Sequence, residues 1–273
     1  MDFLFIILIA TFLLIGLASG FIAGLLGVGG GIIIVPTTYF ILLYLGYSKS
    51  IIMHVAVASS LGIIFFTSIS SLRSHIKLKN VDFIVIKKWA PGIIVGSIIG
   101  SYCATLINGE TLVQIFIFLL FLISINMFFK NKFIILGKSL PKNYFINFTI
   151  SNVIGFLSVL IGIGGGSFSV PILNSFLIPI HKAVGTSSVI GFFIAFSGLF
   201  VFSISETNSY QLPPFSLGYA NLLIIFLVSS TSIFTANIGA KLSSRTKKST
   251  LKKIFAVFLF CTCISLIIEH FIF

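Results

Sequence analysis

Two short blocks hold the residues of this chain best suited to chemistry. Residues 27–36 read GVGGGIIIVP and residues 162–171 read GIGGGSFSVP. Gly29, Gly30 and Gly31, followed by Pro36, recur as Gly164, Gly165 and Gly166, followed by Pro171, at one offset of 135 (164 − 29). Each glycine inside a helix is unfavourable by roughly 1 kcal/mol relative to alanine. Three in a row, with Pro36 or Pro171 five residues beyond as part of the same break, predict a helix that stops and restarts. A restarted helix presents free N–H groups and the positive end of its dipole, which suits an anion. The competing use of the glycines is close helix packing. A second set of small hydroxyls, Ser59 and Ser60 with Thr186, Ser187 and Ser188, falls near helix starts. Such groups donate to an oxyanion or cap a helix.

The remaining chemistry-bearing residues narrow the reading. The five carboxylates are Asp2, Asp82, Glu110, Glu206 and Glu269, all at termini or segment ends, so a mid-membrane cation site or carboxylate relay has little support. His54 and His181 stand near the openings of equivalent segments and are read as structural. Cys103, Cys261 and Cys263 lie in apolar stretches and are read as small buried hydrophobes, with no cofactor or metal expected. Ser167, directly after the second glycine triplet, invites an enzymatic reading, but no intramembrane base is spaced to serve it. There is no P-loop, so this chain alone does not drive ATP-dependent pumping.

These residues must be positioned by membrane helices. Of 273 residues 58% are hydrophobic and 8% charged, with a mean hydropathy of +1.21. A soluble domain carries about 25% charged residues. Ten apolar segments are legible, at about 3–26, 31–46, 51–72, 83–106, 111–129, 143–161, 166–180, 183–203, 216–240 and 251–271. The first is read as a membrane helix and not a cleaved signal, because no cationic region precedes it. The expected fold class is all-α: a polytopic membrane protein, an inverted repeat of about five apolar segments per half. That gives eight to ten membrane helices, depending on whether the glycine motifs make re-entrant hairpins.

The net charge of +12 gathers in three loops, residues 73–88, 130–142 and 241–253. This is the positive-inside pattern and not a nucleic-acid footprint, so those loops are expected in the cytoplasm. Residues 106–111 and 204–215, holding Glu110 and Glu206, are expected outside, with the C-terminus. Counterpart loops then face opposite sides, as an inverted repeat requires. The repeat extends well beyond the glycines. Ser59-Ser60 returns as Ser187-Ser188 at an offset of 128 (187 − 59), and Gly100 returns as Gly239 at 139 (239 − 100). The expected organisation is a first repeat at 1–129, a cytoplasmic linker at 130–142 and a second repeat at 143–273. Small-residue stripes, Gly16, Gly20 and Gly24, then Gly92, Gly96 and Gly100, with Thr231, Thr235 and Gly239, are read as helix-packing surfaces. Asn237 is read as making an interhelical hydrogen bond.

At GFIAGLLGVGGGIIIVP from Gly20, GFLSVLIGIGGGSFSVP from Gly155, AVGTSSVIGF from Ala183 and APGIIVGSIIG from Ala90, the sequence resembles the sulfite exporter TauE/SafE family of membrane permeases. The resemblance spans almost the whole chain and implies an inner-membrane transporter of small anions, often sulfur-containing ones such as sulfite, sulfonates or sulfoacetate. The first half carries Ala58-Ser59 where the second carries Thr186-Ser187, so the halves need not contact substrate equally. The resulting expectation is a secondary transporter of a small anion in the cytoplasmic membrane. Gly29–Gly31, Gly164–Gly166 and the five hydroxyls would bind substrate. Partners are that anion and the lipid bilayer, with no nucleic acid; the oligomeric state, monomer or homodimer, stays open. A passive anion channel, an intramembrane enzyme and an assembly factor are the alternatives.

Overall fold

The computed structural model describes residues 2–26, 29–128, 135–205, 212–243 and 248–272. Glu206, Arg245 and the first part of the 130–142 linker lie outside the described residues. Among those described there are ten helices: α1 Asp2–Leu26, α2 Gly31–Tyr44, α3 Lys49–Lys77, α4 Phe83–Leu106, α5 Gly109–Phe128, α6 Tyr144–Leu160, α7 Gly166–Ser175, α8 Ile180–Ile204, α9 Leu222–Ser243 and α10 Lys248–Ile272. Each expected apolar segment becomes one helix, and the chain is an all-α polytopic membrane protein. Five of the helices (α1, α3, α4, α8 and α9) are long and apolar enough to cross a bilayer.

Three details depart from the sequence reading. The ninth segment does not begin as helix: Ser216–Leu217 and Ala220–Asn221 pair as an antiparallel hairpin, β1–β2, before α9 starts. Pro213-Pro214 precede it, and Gly218 sits at φ 53°, a conformation that favours glycine. Pro36 and Pro171 do not break the helices; both lie inside α2 and α7, in the second turn. The breaks are made by the glycines, and each proline removes one N–H inside a helix already restarted. Of the cysteines only Cys263 is buried; Cys261 is exposed on α10 and Cys103 is half-buried.

The helices form two bundles that run in opposite directions. Gly16, Gly20 and Gly24 of α1 lie in order against Thr231, Thr235 and Ala240 of α9, so these two helices are parallel. A Cβ on Gly20 would overlap the Ser232 carbonyl oxygen, so the backbones touch. Ser70 Oγ donates to the Ile233 carbonyl at 3.0 Å, and Ser74 Oγ to Asn237 Oδ1 at 2.8 Å, which sets α3 parallel to α9. In the other bundle Gly92, Gly96 and Gly100 of α4 follow Ser151, Asn152 and Phe156 of α6. Trp89 Nε1 pins the same pair by donating to Asn147 Oδ1 at 3.2 Å. α8 begins beside the start of α4, where a Cβ on Gly185 would overlap the Asn80 carbonyl.

The bundles meet along α3 and α8, which are antiparallel. Ser71 pairs with Ser188 at 3.1 Å near one end, and Gly198 packs on Leu61 further along. Exchanging each helix for the one five places along converts α1, α3 and α9 into α6, α8 and α4. The packing of the two bundles therefore repeats, and each bundle borrows one helix from the other half of the chain.

Gly96→Val should destabilise the protein by about 1–3 kcal/mol or more, because the added methyls have only Asn152 backbone to displace. Ile98→Val on the exposed face of the same helix should change little. Unfolding midpoints in detergent check both, and equal midpoints would contradict the packing role.

Candidate functional site

α2 has 14 residues and α7 has 10. At 1.5 Å per residue these are about 21 and 15 Å long, short of the ~30 Å hydrocarbon core. α2 starts beside Ser60, in the middle of α3, and ends next to the start of α3: it is a half-length helix that begins deep in the bundle. α7 repeats the arrangement in the other half. Both helix starts are made by glycine in the left-handed region, Gly30 at φ 75° and Gly165 at φ 73°. Neither start has a side-chain cap, so the first-turn N–H groups are left to other acceptors.

The two glycine turns touch. A Cβ on Gly29 would stand 2.8 Å from the Gly164 Cα, and one on Gly164 3.0 Å from the Gly29 Cα. Ile64, near the midpoint of α3, packs on both, and Gly191 of α8 lets the Gly164 carbonyl approach to 2.5 Å of where its Cβ would be. A narrow cleft runs from this contact between α3 and α8. Its polar walls are Thr67, Ser68 and Ser71 from α3 with Ser187 and Ser188 from α8, and no charged residue lines it. Its free volume is about 10 Å³, room for about one water. The observed conformation is thus closed around the glycine contact.

The structure divides the expected site residues into two groups. Gly29, Gly164, Ser187 and Ser188 come together on the cleft. Ser59, Ser60 and Thr186 do not line it and are committed elsewhere. Ser59 Oγ accepts from the Asn221 N–H at 3.1 Å, and Thr186 Oγ1 accepts from the Asp82 N–H at 2.9 Å. Asp82 caps α4, accepting from Ile84 and Val85, while Asn221 caps α9 by accepting from Ile224. Asp82 and Asn221 are counterparts at the 139 offset (221 − 82). Each half therefore fixes the other half's helix cap with one hydroxyl. This accounts for the Ala58-Ser59 and Thr186-Ser187 mismatch: the bonding hydroxyl sits one position earlier in α8.

Ser60 Oγ donates to the Gly162 carbonyl at 2.8 Å and stands next to Gly31, ahead of α2. Gly30 and Gly31, like Gly165 and Gly166, form the helix starts behind the contact and do not line the cleft. Sequence reasoning did not single out Thr67, Ser68, Ser71 or Gly191. The signal was present as a 67, 68, 71 spacing on the buried face of α3.

One further cluster surrounds the second motif. Ser158, Ser167 and Ser169 each bury a hydroxyl oxygen that has no hydrogen-bond partner among the described residues. Ser158 Oγ lies 3.8 Å from where a Gly165 Cβ would be, and the other two are in the first turn of α7. Their counterparts at the 135 offset are Ala23, Ile32 and Ile34, so this polarity belongs to the second half alone. Buried hydroxyls left unpaired are unfavourable by about 1–3 kcal/mol each. His54 is held through one ring nitrogen: Nε2 lies 3.0 Å from the Ala104 and Ile107 carbonyls, and the ring stacks on Tyr219 at 4.7 Å.

Ser59→Ala and Thr186→Val should each lower stability by about 0.5–2 kcal/mol, by stripping the acceptor from a cap N–H that is buried at Asn221 and partly buried at Asp82. Thermal unfolding in detergent checks this. Unchanged midpoints together with lost ligand binding would return both residues to the ligand.

Over residues 12–266 the chain matches the family described as "Sulfite exporter TauE/SafE". It is 34% identical over 259 residues to a "Probable membrane transporter protein" of Haemophilus influenzae, covering 94% of this chain and 97% of that one. It is 30% identical over 273 residues to "Probable membrane transporter protein YunE" of Bacillus subtilis, covering 93% and 96%. A third relative with a membrane-transporter name, from Methanocaldococcus jannaschii, is 28% identical over 260 residues. No solved structure matches. A family match over nearly the whole chain, two glycine blocks brought into contact and a bundle of apolar helices agree: the chain belongs to the sulfite exporter TauE/SafE family.

Proposed function

We propose that this chain is a secondary transporter that carries a small anion, sulfur-containing or organic in the class of sulfite, sulfonates and sulfoacetate, across the cytoplasmic membrane. The carrying observation is the uncapped start of α7, with three buried hydroxyls in or beside its first turn that bond to no protein atom among the described residues. An oxyanion at this start supplies acceptors to the free N–H groups and to a neighbouring hydroxyl, where water-free packing would leave them unpaired. The membrane-transporter names of the relatives and the family description point the same way.

The hydroxyl-lined cleft is the path by which the anion reaches that start. Gly29 against Gly164 closes it at the centre, and the free volume is too small for a sulfite-sized ion. Ser59 and Ser60 are sealed by bonds across the halves, whereas Ser188 bonds Ser71 at the cleft itself. One side of an inverted pair is locked while the other borders an opening, as alternating access requires. The bodies that move are the α1–α3–α9 and α4–α6–α8 bundles, hinging on the α3–α8 contact. The 1–129 and 143–273 repeats supply the two bundles, with the basic loops in the cytoplasm.

Purified protein in proteoliposomes should take up labelled sulfite or a sulfonate with saturation and with stimulation by the same anion on the far side. Leucine at Gly164 intrudes on a packed contact worth about 1–3 kcal/mol, so Gly164→Leu should lower flux about tenfold or more. Wild-type flux in that variant would sink the central site. Ser169→Ala removes an unpaired buried hydroxyl, so it should lower flux while leaving the unfolding midpoint equal or higher. A lower midpoint with unchanged flux would make Ser169 structural.

A further inference from the structure

A second opening lies where α3 and α9 end together. It encloses about 500 Å³ between the two helices. Phe66, Ile69 and Ile233 make its apolar wall, and Ser70, Ser74 and Asn237 its polar one. Arg73, Lys77 and Lys241 also line it, and among the described residues no carboxylate does. Arg73 and Lys77 form no ion pair among the described residues, where Lys49 pairs with Glu269 at 2.8 Å. Ser74 Oγ occupies Asn237 Oδ1, and the Asn237 amide N–H groups donate to no protein acceptor among the described residues.

Packing accounts for Ser70, Ser74 and the Asn237 carbonyl oxygen, which join α3 to α9. It does not account for the three cations gathered beside them or for the Asn237 amide N–H groups, and orienting loops need Lys and Arg but not a cavity between them. The duplicated helix pair, α8 with α4, packs without any of these groups. At the 128 offset Ser70, Arg73, Ser74 and Lys77 correspond to Gly198, Val201, Phe202 and Ser205; at 139, Asn237 and Lys241 correspond to Ile98 and Tyr102. One end of the molecule has acquired a cationic, donor-rich cleft that the fold does not demand.

We propose that the α3–α9 cleft binds a tetrahedral oxyanion, seated on the Arg73 guanidinium and the Asn237 amide with Lys77 and Lys241 balancing its charge. Guanidinium and amide N–H groups fit such an ion by directed hydrogen bonds, and the ammonium groups add undirected attraction. The same chemistry is offered by the phosphate of an anionic phospholipid, whose chains would lie on Phe66 and Ile233, and by free sulfate. Ser70 faces this cleft and its neighbour Ser71 faces the central one, so an occupant here acts on the helix that lines both.

The test measures thermal unfolding of the full chain in neutral detergent. Phosphatidylglycerol is titrated against phosphatidylcholine, and sodium sulfate against sodium chloride at equal ionic strength. The wild type should be stabilised by phosphatidylglycerol, by sulfate or by both. Arg73→Gln with Lys77→Gln should need about tenfold more of the same ligand. Arg73→Lys, which keeps the charge and loses the fork, should fall between them. A response to the lipid alone identifies the headgroup as the source, and one to sulfate alone a soluble ion. Gly164→Leu should keep the response even where its flux is lost, which separates this site from the central one. No stabilisation of the wild type, or an equal response in the double variant, overturns the proposal.

Discussion

Two interruptions of the backbone must be buried in hydrocarbon, and the rest of the structure follows from how that is done. A chain that stops and restarts inside a membrane exposes N–H and C=O groups where water is scarce, and each needs a partner. Here both interruptions are placed at one point, Gly29 against Gly164, with Ile64 and Gly191 closing over them. A side chain at either glycine would hold the turns apart. The same demand explains why α2 and α7 are short: a helix restarting at the centre has only half the membrane left to cross.

Polar satisfaction then separates the roles of the small hydroxyls. Ser59 and Thr186 bond the backbone N–H of the residues that cap α9 and α4, so each half holds the other's helix start in place. Ser60 bonds the carbonyl of Gly162 and thereby ties the second motif to α3. These hydroxyls are structural because their partners are fixed backbone atoms. Ser158, Ser167 and Ser169 have no such partner among the described residues, and they stand at or beside only one of the two helix starts. A duplicated scaffold thus carries an unduplicated polarity, GGGSFSVP against GGGIIIVP.

Much of this was legible in the sequence, and the illegible part has a physical reason. Hydropathy located every helix, since a membrane helix announces itself by composition over its whole length. The glycine stripes announced packing surfaces on α1, α4 and α9 but not which helix each would meet, and Asn237 did find an interhelical partner in Ser74. The glycine triplets located the breaks, but Pro36 and Pro171 fell inside α2 and α7, because a helix nucleated just upstream tolerates one missing N–H. Hydroxyl roles could not be sorted, since a serine donates to a backbone carbonyl or to an anion with the same group. The choice depends on which backbone comes near. Ser59 meets Asn221 only because α9 packs on α3 from the other half of the chain, a contact 162 residues distant.

That interlacing constrains how the molecule can move. α1 and α9 are joined backbone to backbone along Gly16, Gly20 and Gly24, and α4 and α6 along Gly92, Gly96 and Gly100. Separating the two sequence halves as rigid pieces would open both of these seams, which are closed largely by backbone and short side chains. The seam between α3 and α8 is of a different kind. Along it lie one hydroxyl pair, Ser71 with Ser188, and stacked rings, Phe65 on Phe192 at 5.3 Å. Such contacts slide or change rotamer at small cost compared with interlocked backbones. Of the seams between the bundles α3–α8 resists motion least, and in the proposed transporter it is the seam that would move, with the glycine contact at its inner end as the gate.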